Sequence, residues 1–339
     1  MRRWMIGGWV AGVILIGLAG GCRTGAGGRL SLAQRKAMAQ SDFQRAVRLA
    51  QSGKPDRALT ALRTGLEQDP NHLPSRLFLA ELLQASGDGD EALAEYSRAL
   101  ATVGAGRGKP ADQVMVYGSR GDCFLSMGRY GEAIDDFTRA LKLKPDEAML
   151  QFKRGESYMG LNAFNKALGD LDAVARVLPN EPEVWLRRGD CYLAMSNLNA
   201  AADDYSVALE RAPDDARLFA RRAAVFSAMD QDHLALADYI RAVELEPDSV
   251  FFWYDRAMTR LALEQAKEAV ADFTAAVKRD PKRPEIFVGR GMAYEMMGDD
   301  ARALADYDQA RTLAPDYSPA AAARRRLLDR AAAGSRPVR

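Results

Sequence analysis

Between residues 39 and 317, apolar positions recur at the three- and four-residue spacing of amphipathic helices, and short polar turns break the runs. The breaks are regular. Pro145, Pro179, Pro213, Pro247, Pro281 and Pro315 lie 34 residues apart, each at a polar turn. Counting back from each proline, an aromatic recurs at Phe137, Tyr205, Tyr239, Phe273 and Tyr307, with Leu171 as the exception. Alanine recurs at Ala133, Ala167, Ala201, Ala235, Ala269 and Ala303. A period this long predicts one supersecondary unit stacked many times, each unit being two antiparallel helices.

The residue types within the period have mechanical reasons. Gly121, Gly155, Gly189, Ala223, Ala257 and Gly291 fall in mid-helix, where Gly costs about 1 kcal/mol relative to Ala. That cost is tolerable where the missing side chain lets another helix approach. Gly53, Gly87, Gly128, Asn162, Ser196, Asp230 and Gly298 fall at the end of the first helix of each pair, where Gly and Asn supply a left-handed cap. Asp146, Asp214 and Asp248 follow prolines and are expected to cap the next helix. Two ladders share the period: Arg120, Arg154, Arg188, Arg222, Arg256 and Arg290, and Asp136, Asp170, Asp204, Asp238, Asp272 and Asp306. Recurring carboxylates resemble catalytic acids until their period is noticed; pairing with the arginines, for register and modest stability, is the more economical expectation.

The pattern resembles the tetratricopeptide repeat (TPR), whose 34-residue signature runs W-x2-L-G-x2-Y, then A-x3-F, then P, here with Arg at the Leu position. The resemblance covers residues 39–317 as eight units, beginning at Ala39, Leu73, Val114, Ala148, Pro182, Ala216, Val250 and Pro284. An insertion near residues 107–113 offsets the second from the third. The resemblance implies an all-α, right-handed superhelical solenoid, and residues 318–333 read as a helix capping its end. In the seventh unit, Arg260 replaces the usual aromatic and Glu264 the turn glycine.

The resemblance also implies a binding surface. First helices of TPR units line a concave groove with positions 2, 5, 9, 12 and 13. The ninth position reads Asp122, Glu156, Asp190, Ala224, Met258, Met292, acidic over the middle units and apolar over the last. Phe251, Tyr254, Met258, Leu261, Val288, Met292 and Met296 form an aromatic–methionine patch, a composition suited to apolar partners, although such residues also pack between helices. A carboxylate clamp of the Hsp70/Hsp90 type needs Lys at position 5 and Asn at position 9. Position 5 holds Phe43, Leu77, Gly118, Phe152, Leu186, Ala220, Tyr254 and Val288, so that activity is not implied.

Outside the repeats, the N-terminus carries the strongest signal. Arg2 and Arg3 precede an apolar run, Trp4 to Leu18, and a small-residue approach to Cys22. "LAGGC" resembles the bacterial lipobox, with Ala19 where the family prefers Leu. The resemblance implies a signal peptide over residues 1–21, lipid on Cys22, and a Gly-rich tether with the start of a helix over residues 22–38. An uncleaved anchor and a plain secretion signal are the alternatives; about 18 apolar residues just span a bilayer. All three place the body outside the cytoplasm. Arg23 lacks the Asp that resembles an inner-membrane retention signal, which favours the outer membrane, facing the periplasm, in a Gram-negative cell.

Composition narrows the rest. With 339 residues, 48% hydrophobic, 27% charged and 14 prolines, the chain reads as a folded body. Its net charge of +1 carries no excess of the kind nucleic-acid binding needs, and losing Arg2 and Arg3 would turn it to −1. The residues from 334 to 339 form a basic tail. His72 and His233 stand apart from any Cys/His cluster, so no metal or cofactor is implied. "GAGRGKP" at 104–110 lacks phosphate-loop spacing and reads as an inter-repeat loop. "RGDC" occurs at residues 120–123 and 188–191, but 34-residue register places both inside helices, which excludes an extended adhesive loop and makes Cys123 and Cys191 buried small residues. No segment outside the repeats has room for a catalytic domain. The sequence thus points to a non-enzymatic scaffold, similar to bacterial TPR lipoproteins, that binds proteins or peptides at the cell envelope and meets the membrane through its lipid. A self-assembling, homo-oligomeric envelope module is the alternative.

Overall fold

The computed structural model describes residues 30–104 and 108–334. These form seventeen α-helices and no strand, in two compact units divided after Val177. The first unit holds α1 (Leu32–Gln51), α2 (Pro55–Gln68), α3 (Leu73–Ser86), α4 (Gly89–Val103), α5 (Pro110–Ser126), α6 (Tyr130–Leu143), α7 (Ala148–Gly160) and α8 (Phe164–Val177). The second holds α9 (Pro182–Ala194), α10 (Leu198–Arg211), α11 (Ala216–Ala228), α12 (Asp232–Leu245), α13 (Val250–Ala262), α14 (Ala266–Arg279), α15 (Pro284–Met296), α16 (Asp300–Leu313) and α17 (Ser318–Gly334). Helices pair in chain order, odd with even, and within each unit the second helix of one pair packs on the first helix of the next. Each unit is therefore an all-α repeat solenoid.

The small positions explain the pairing. A Cβ added to Gly121 would come within 2.7 Å of the Phe137 ring; at Gly189 and Gly291 it would come within 2.6 and 2.5 Å of Tyr205 and Tyr307. Opposite Gly155 the aromatic is replaced by Leu171, and the nearest approach relaxes to 3.4 Å. In the seventh pair Ala257 occupies the small position, and the Phe273 ring lies against Gly289 of the next helix, 2.5 Å from where a Cβ would stand. Between the helices of each pair the chain turns through a left-handed residue: Gly53, Gly87, Gly128, Asn162, Ser196, Asp230, Glu264 and Gly298 all have φ between 56° and 93°. Glu264 holds this conformation without glycine's freedom, at a cost of about 1–2 kcal/mol.

The arginine ladder meets the aspartate ladder. Arg120, Arg154, Arg188, Arg222, Arg256 and Arg290 each reach Asp136, Asp170, Asp204, Asp238, Asp272 and Asp306 in turn through Nε and Nη2, at 2.6–2.8 Å. This is the planar, two-pronged geometry that favours Arg over Lys. The same guanidinium often reaches back one repeat through Nη1, from Arg120 to Ser97, Arg154 to Thr138, Arg222 to Ser206 and Arg290 to Thr274. Each such arginine thereby fixes the register of two repeats at once. The second pair is looser: Glu95 stands at the aspartate position, and Arg76 reaches it at 2.6 Å from a different turn of α3. In the seventh pair Arg260 joins Arg256 on Asp272, at 2.6 Å, so the missing aromatic is exchanged for a second charge on the ladder.

Fourth-position side chains lock the inter-repeat turns by donating to proline carbonyls. Arg76, Gln151, Trp185 and Trp253 bond the carbonyls of Pro70, Pro145, Pro179 and Pro247. Several sequence expectations shift here. The N-caps of α7, α11 and α13 are Glu147, Asp215 and Ser249, one residue beyond Asp146, Asp214 and Asp248. Of the three, only Asp215 caps through its side chain, accepting from the Arg217 N–H at 2.9 Å. The insertion near 107–113 is partly helical, because Pro110, pre-set for a first helical turn, starts α5 four residues before the expected unit. The first helix begins at Leu32, ahead of Ala39, with a capping box between Ser31 and Gln34.

The C-terminal helix is a half repeat. Arg324 stands one 34-residue step beyond Arg290 and keeps the backward bond, Nε to Asp308 at 2.6 Å. Arg325, exposed, stands where earlier repeats hold Gly or Ala, since no second helix follows within the described residues to require close approach. Ala320, Ala323 and Leu327 bury the inner face of α17.

Candidate partner-binding faces

The first helices carry the candidate residues, and the two units present different chemistry. In the first unit, Asp122 on α5 and Glu156 on α7 occupy the ninth position, both half-buried. Glu81 on α3 holds the same position, a member of the series that the sequence reading passed over although counting from Leu73 reaches it. Burial alone pushes the Glu81 carboxyl up to about 7. Burial also raises Asp122, opposed by Lys153 of α7, whose ammonium bonds Oδ2. The other oxygen, Oδ1, is buried with no hydrogen-bond partner.

In the second unit, Asp190 on α9 is better served. The Tyr205 hydroxyl donates to its Oδ1 at 2.8 Å, and Arg187 and Arg221 stand 3.7 and 3.9 Å away. Further along, α13 and α15 pack together and carry the aromatic–methionine patch. Phe251, Met292 and Met296 are exposed, at 61, 38 and 49%, and Tyr254 and Met258 are half-buried. Leu261 and Val288 are different: at 7 and 8% exposure they belong to the packing between helices and are not part of the surface. The Tyr254 ring meets Phe273 edge-on at 5.8 Å, and the Arg283 guanidinium stacks 4.4 Å over Phe251.

Other candidates dissolve into the scaffold. Both RGD strings are helical, with their arginines in the ladder. Cys123 and Cys191 are free and fully buried, and burial pushes their thiols up to about 11 and 12, away from reactive thiolate. His72 caps α3, with Nδ1 2.7 Å from Ser75 Oγ and Nε2 3.0 Å from Gln40 Oε1. No group of three His, Cys, Asp or Glu among the described residues could hold a metal ion, and no described helix is long and apolar enough to cross a membrane. The signal-like run, Cys22 and most of the basic tail lie outside the described residues.

Family models described as Tetratricopeptide repeat match residues 49–104, 114–147, 152–216 and 254–318. A search of curated proteins finds no significant match. Among solved structures, the C-terminal part of a TPR repeat-containing protein from Cytophaga hutchinsonii aligns with a TM-score of 0.61 at 14% identity, over 73% of this chain and 98% of that one. A tetratricopeptide repeat protein from Parabacteroides merdae aligns with a TM-score of 0.57 at 17% identity, over 76% and 99%. YrrB, described as a TPR protein with an unusual peptide-binding site, aligns with a TM-score of 0.50 at 23% identity, over 56% and 97%. These likenesses are of fold. With the family models covering well over half its length, the chain belongs to the tetratricopeptide repeat family.

Proposed function

We propose that the chain is a non-enzymatic scaffold for protein–protein interaction, holding peptide or protein partners on its first-helix faces. The observation that carries this reading is the exposed patch on α13 and α15, where Phe251, Met292 and Met296 stand in solvent beside Tyr254 and Met258. Aromatics and methionines adapt to apolar partners and dominate binding energy once desolvated. The charge, length and cysteine pattern of residues 1–22 support lipid attachment at Cys22 and a place at the bacterial cell envelope.

Crosslinking capture from envelope fractions, run in parallel with the parent chain and a Tyr254→Ala, Met258→Ala variant of equal helicity, tests the binding face. A partner retained by the parent and lost by the variant is expected. Equal capture by both moves binding elsewhere, and a captured species that is only a second copy, with a matching sedimentation coefficient, replaces the scaffold with self-assembly. Labelled fatty acid should enter the parent and not Cys22→Ala; label in the variant refutes that site.

A further inference from the structure

One carboxylate on the apolar face is out of keeping with the repeat that carries it. At the sixth position of successive first helices stand Lys153, Arg187, Arg221 and then Asp255. The basic residues there serve ninth-position acids: Lys153 bonds Asp122 one repeat back, and Arg221 stands 3.9 Å from Asp190. At α13 the sign inverts. The ninth position one repeat back is Ala224, so no acid is present for a base to serve. Asp255 follows Phe251 and Tyr254 and precedes Met258 at spacings of four, one and three, which puts all four on one stripe of the helix.

Among the described residues, the arginines nearest this stripe are committed elsewhere. Arg256 and Arg260, the arginines nearest in sequence, both bond Asp272. Arg283, at the edge of the patch, pairs with Glu285 at 3.0 Å and leans toward Asp280 at 3.8 Å. Arg221 faces Asp190. The titratable neighbours that feel the Asp255 charge are the Tyr239 and Tyr254 hydroxyls. No side-chain hydrogen bond or ion pair joins Asp255 to any described residue, and burial raises its carboxyl to about 6. A half-buried carboxylate among apolar side chains carries a desolvation cost that an incoming cation would offset.

We propose that the α13–α15 face takes a protein segment in which a Lys or Arg is flanked by apolar residues, with Asp255 receiving the cation while Phe251, Tyr254, Met258 and Met292 receive its neighbours. The inference rests on the binding face proposed above and adds the chemistry of what it binds. Asp255 selects for charge, and the patch supplies the larger share of the affinity.

The test is selection of random heptapeptides displayed on phage against the immobilised full chain, followed by affinities of the selected peptides and of their Lys→Glu or Arg→Glu counterparts. Selected sequences should carry a basic residue between apolar ones, and the acidic counterpart should bind roughly tenfold more weakly or worse. Asp255→Asn should erase most of that discrimination while peptides still bind. Tyr254→Ala with Met258→Ala should lose all of them. Selected peptides without a basic residue, no selection at all, or discrimination unchanged by Asp255→Asn would each overturn the inference. Peptides lost with the aromatic–methionine variant but indifferent to Asp255→Asn would leave the binding face standing and remove only its charge preference. Peptides indifferent to both variants would remove the face as well.

Discussion

The string RGDC is written twice in this chain, and its two copies show which letters the repeat dictates and which it leaves free. Arg120 and Arg188 make the same two-pronged bond to an aspartate sixteen residues on. Gly121 and Gly189 admit a ring edge that no larger residue would. Cys123 and Cys191 are equally buried. Only the aspartates differ. Asp190 accepts from the Tyr205 hydroxyl, whereas Asp122 faces Phe137 at the matching position and keeps one buried oxygen unpartnered. A single hydroxyl on the neighbouring helix thus separates an oxygen with a donor, Asp190 Oδ1, from one without, Asp122 Oδ1. Residues aimed between helices are held by the period, and residues aimed at the first-helix face vary with what stands opposite.

The shared part of the comparison should show the largest effects. Asp136→Ala and Asp204→Ala each take the two-pronged carboxylate away from a half-buried guanidinium, and each should cost about 3–5 kcal/mol, read from urea unfolding midpoints. Markedly unequal losses would break the equivalence of the two copies. Gly121→Leu and Gly189→Leu should follow at about 3 kcal/mol, because the new side chain meets a ring already in contact distance. Gly155→Ala is the control: opposite Leu171 there is room for a Cβ, and the helix gains propensity, so its midpoint should hold or rise. A Gly189→Leu protein as stable as its parent would end the close-packing account.

Asp122 shares its surroundings with a second carboxylate, and pH should expose it. Tyr96 feels both Glu81 and Asp122. Burial holds the Glu81 carboxyl neutral up to about 7, so the folded state keeps a proton that the unfolded chain releases at its ordinary, lower value. The stability this contributes is complete below that ordinary value and is lost as pH rises toward 7. Glu81→Gln should therefore gain on the parent across that window, by about 3 kcal/mol at its upper end. Urea midpoints at several pH values check it; parallel curves for variant and parent would show that Glu81 titrates normally.

The sequence made the scaffold legible and the face only partly so. Close packing and the ladders obey one period, which is why the close approach at Gly189 and the pairing of Arg188 with Asp204 could be read from spacing, although the ring that fills the approach, Tyr205, was not. Counting positions also assigned Leu261 and Val288 to the binding surface, but helix spacing does not tell a groove from the seam beside it, and both are buried. Asp146, Asp214 and Asp248 missed the N-cap by one residue because the turn after each proline takes one more residue than the motif suggests. Asp255 escaped notice for the opposite reason. It is unusual only against Lys153 and Arg221 at the same position, and their partners become visible only in three dimensions.

The smallest expected effect bears most directly on the two copies. Phe137→Tyr supplies the hydroxyl that Asp122 lacks, and Tyr205→Phe removes the one Asp190 has. The rings sit alike, their Cε1 atoms 2.7 and 2.6 Å from the place a Cβ would occupy on Gly121 and Gly189, so a hydroxyl on Phe137 should point where Tyr205 points. The first change should stabilise by about 1 kcal/mol and the second cost about the same, since a net hydrogen bond to a buried carboxylate is of that order. A hydroxyl donating to Asp122 also favours its charged form and should draw its raised pKa down, which carboxyl carbon chemical shifts across a pH series would follow. The double variant, with the two residues exchanged, should return close to parental stability, because the sites lie on separate units and their effects should add. If Phe137→Tyr is destabilising and leaves the Asp122 titration where it was, the orphaned oxygen has some other cause, and the two copies differ by more than one hydroxyl.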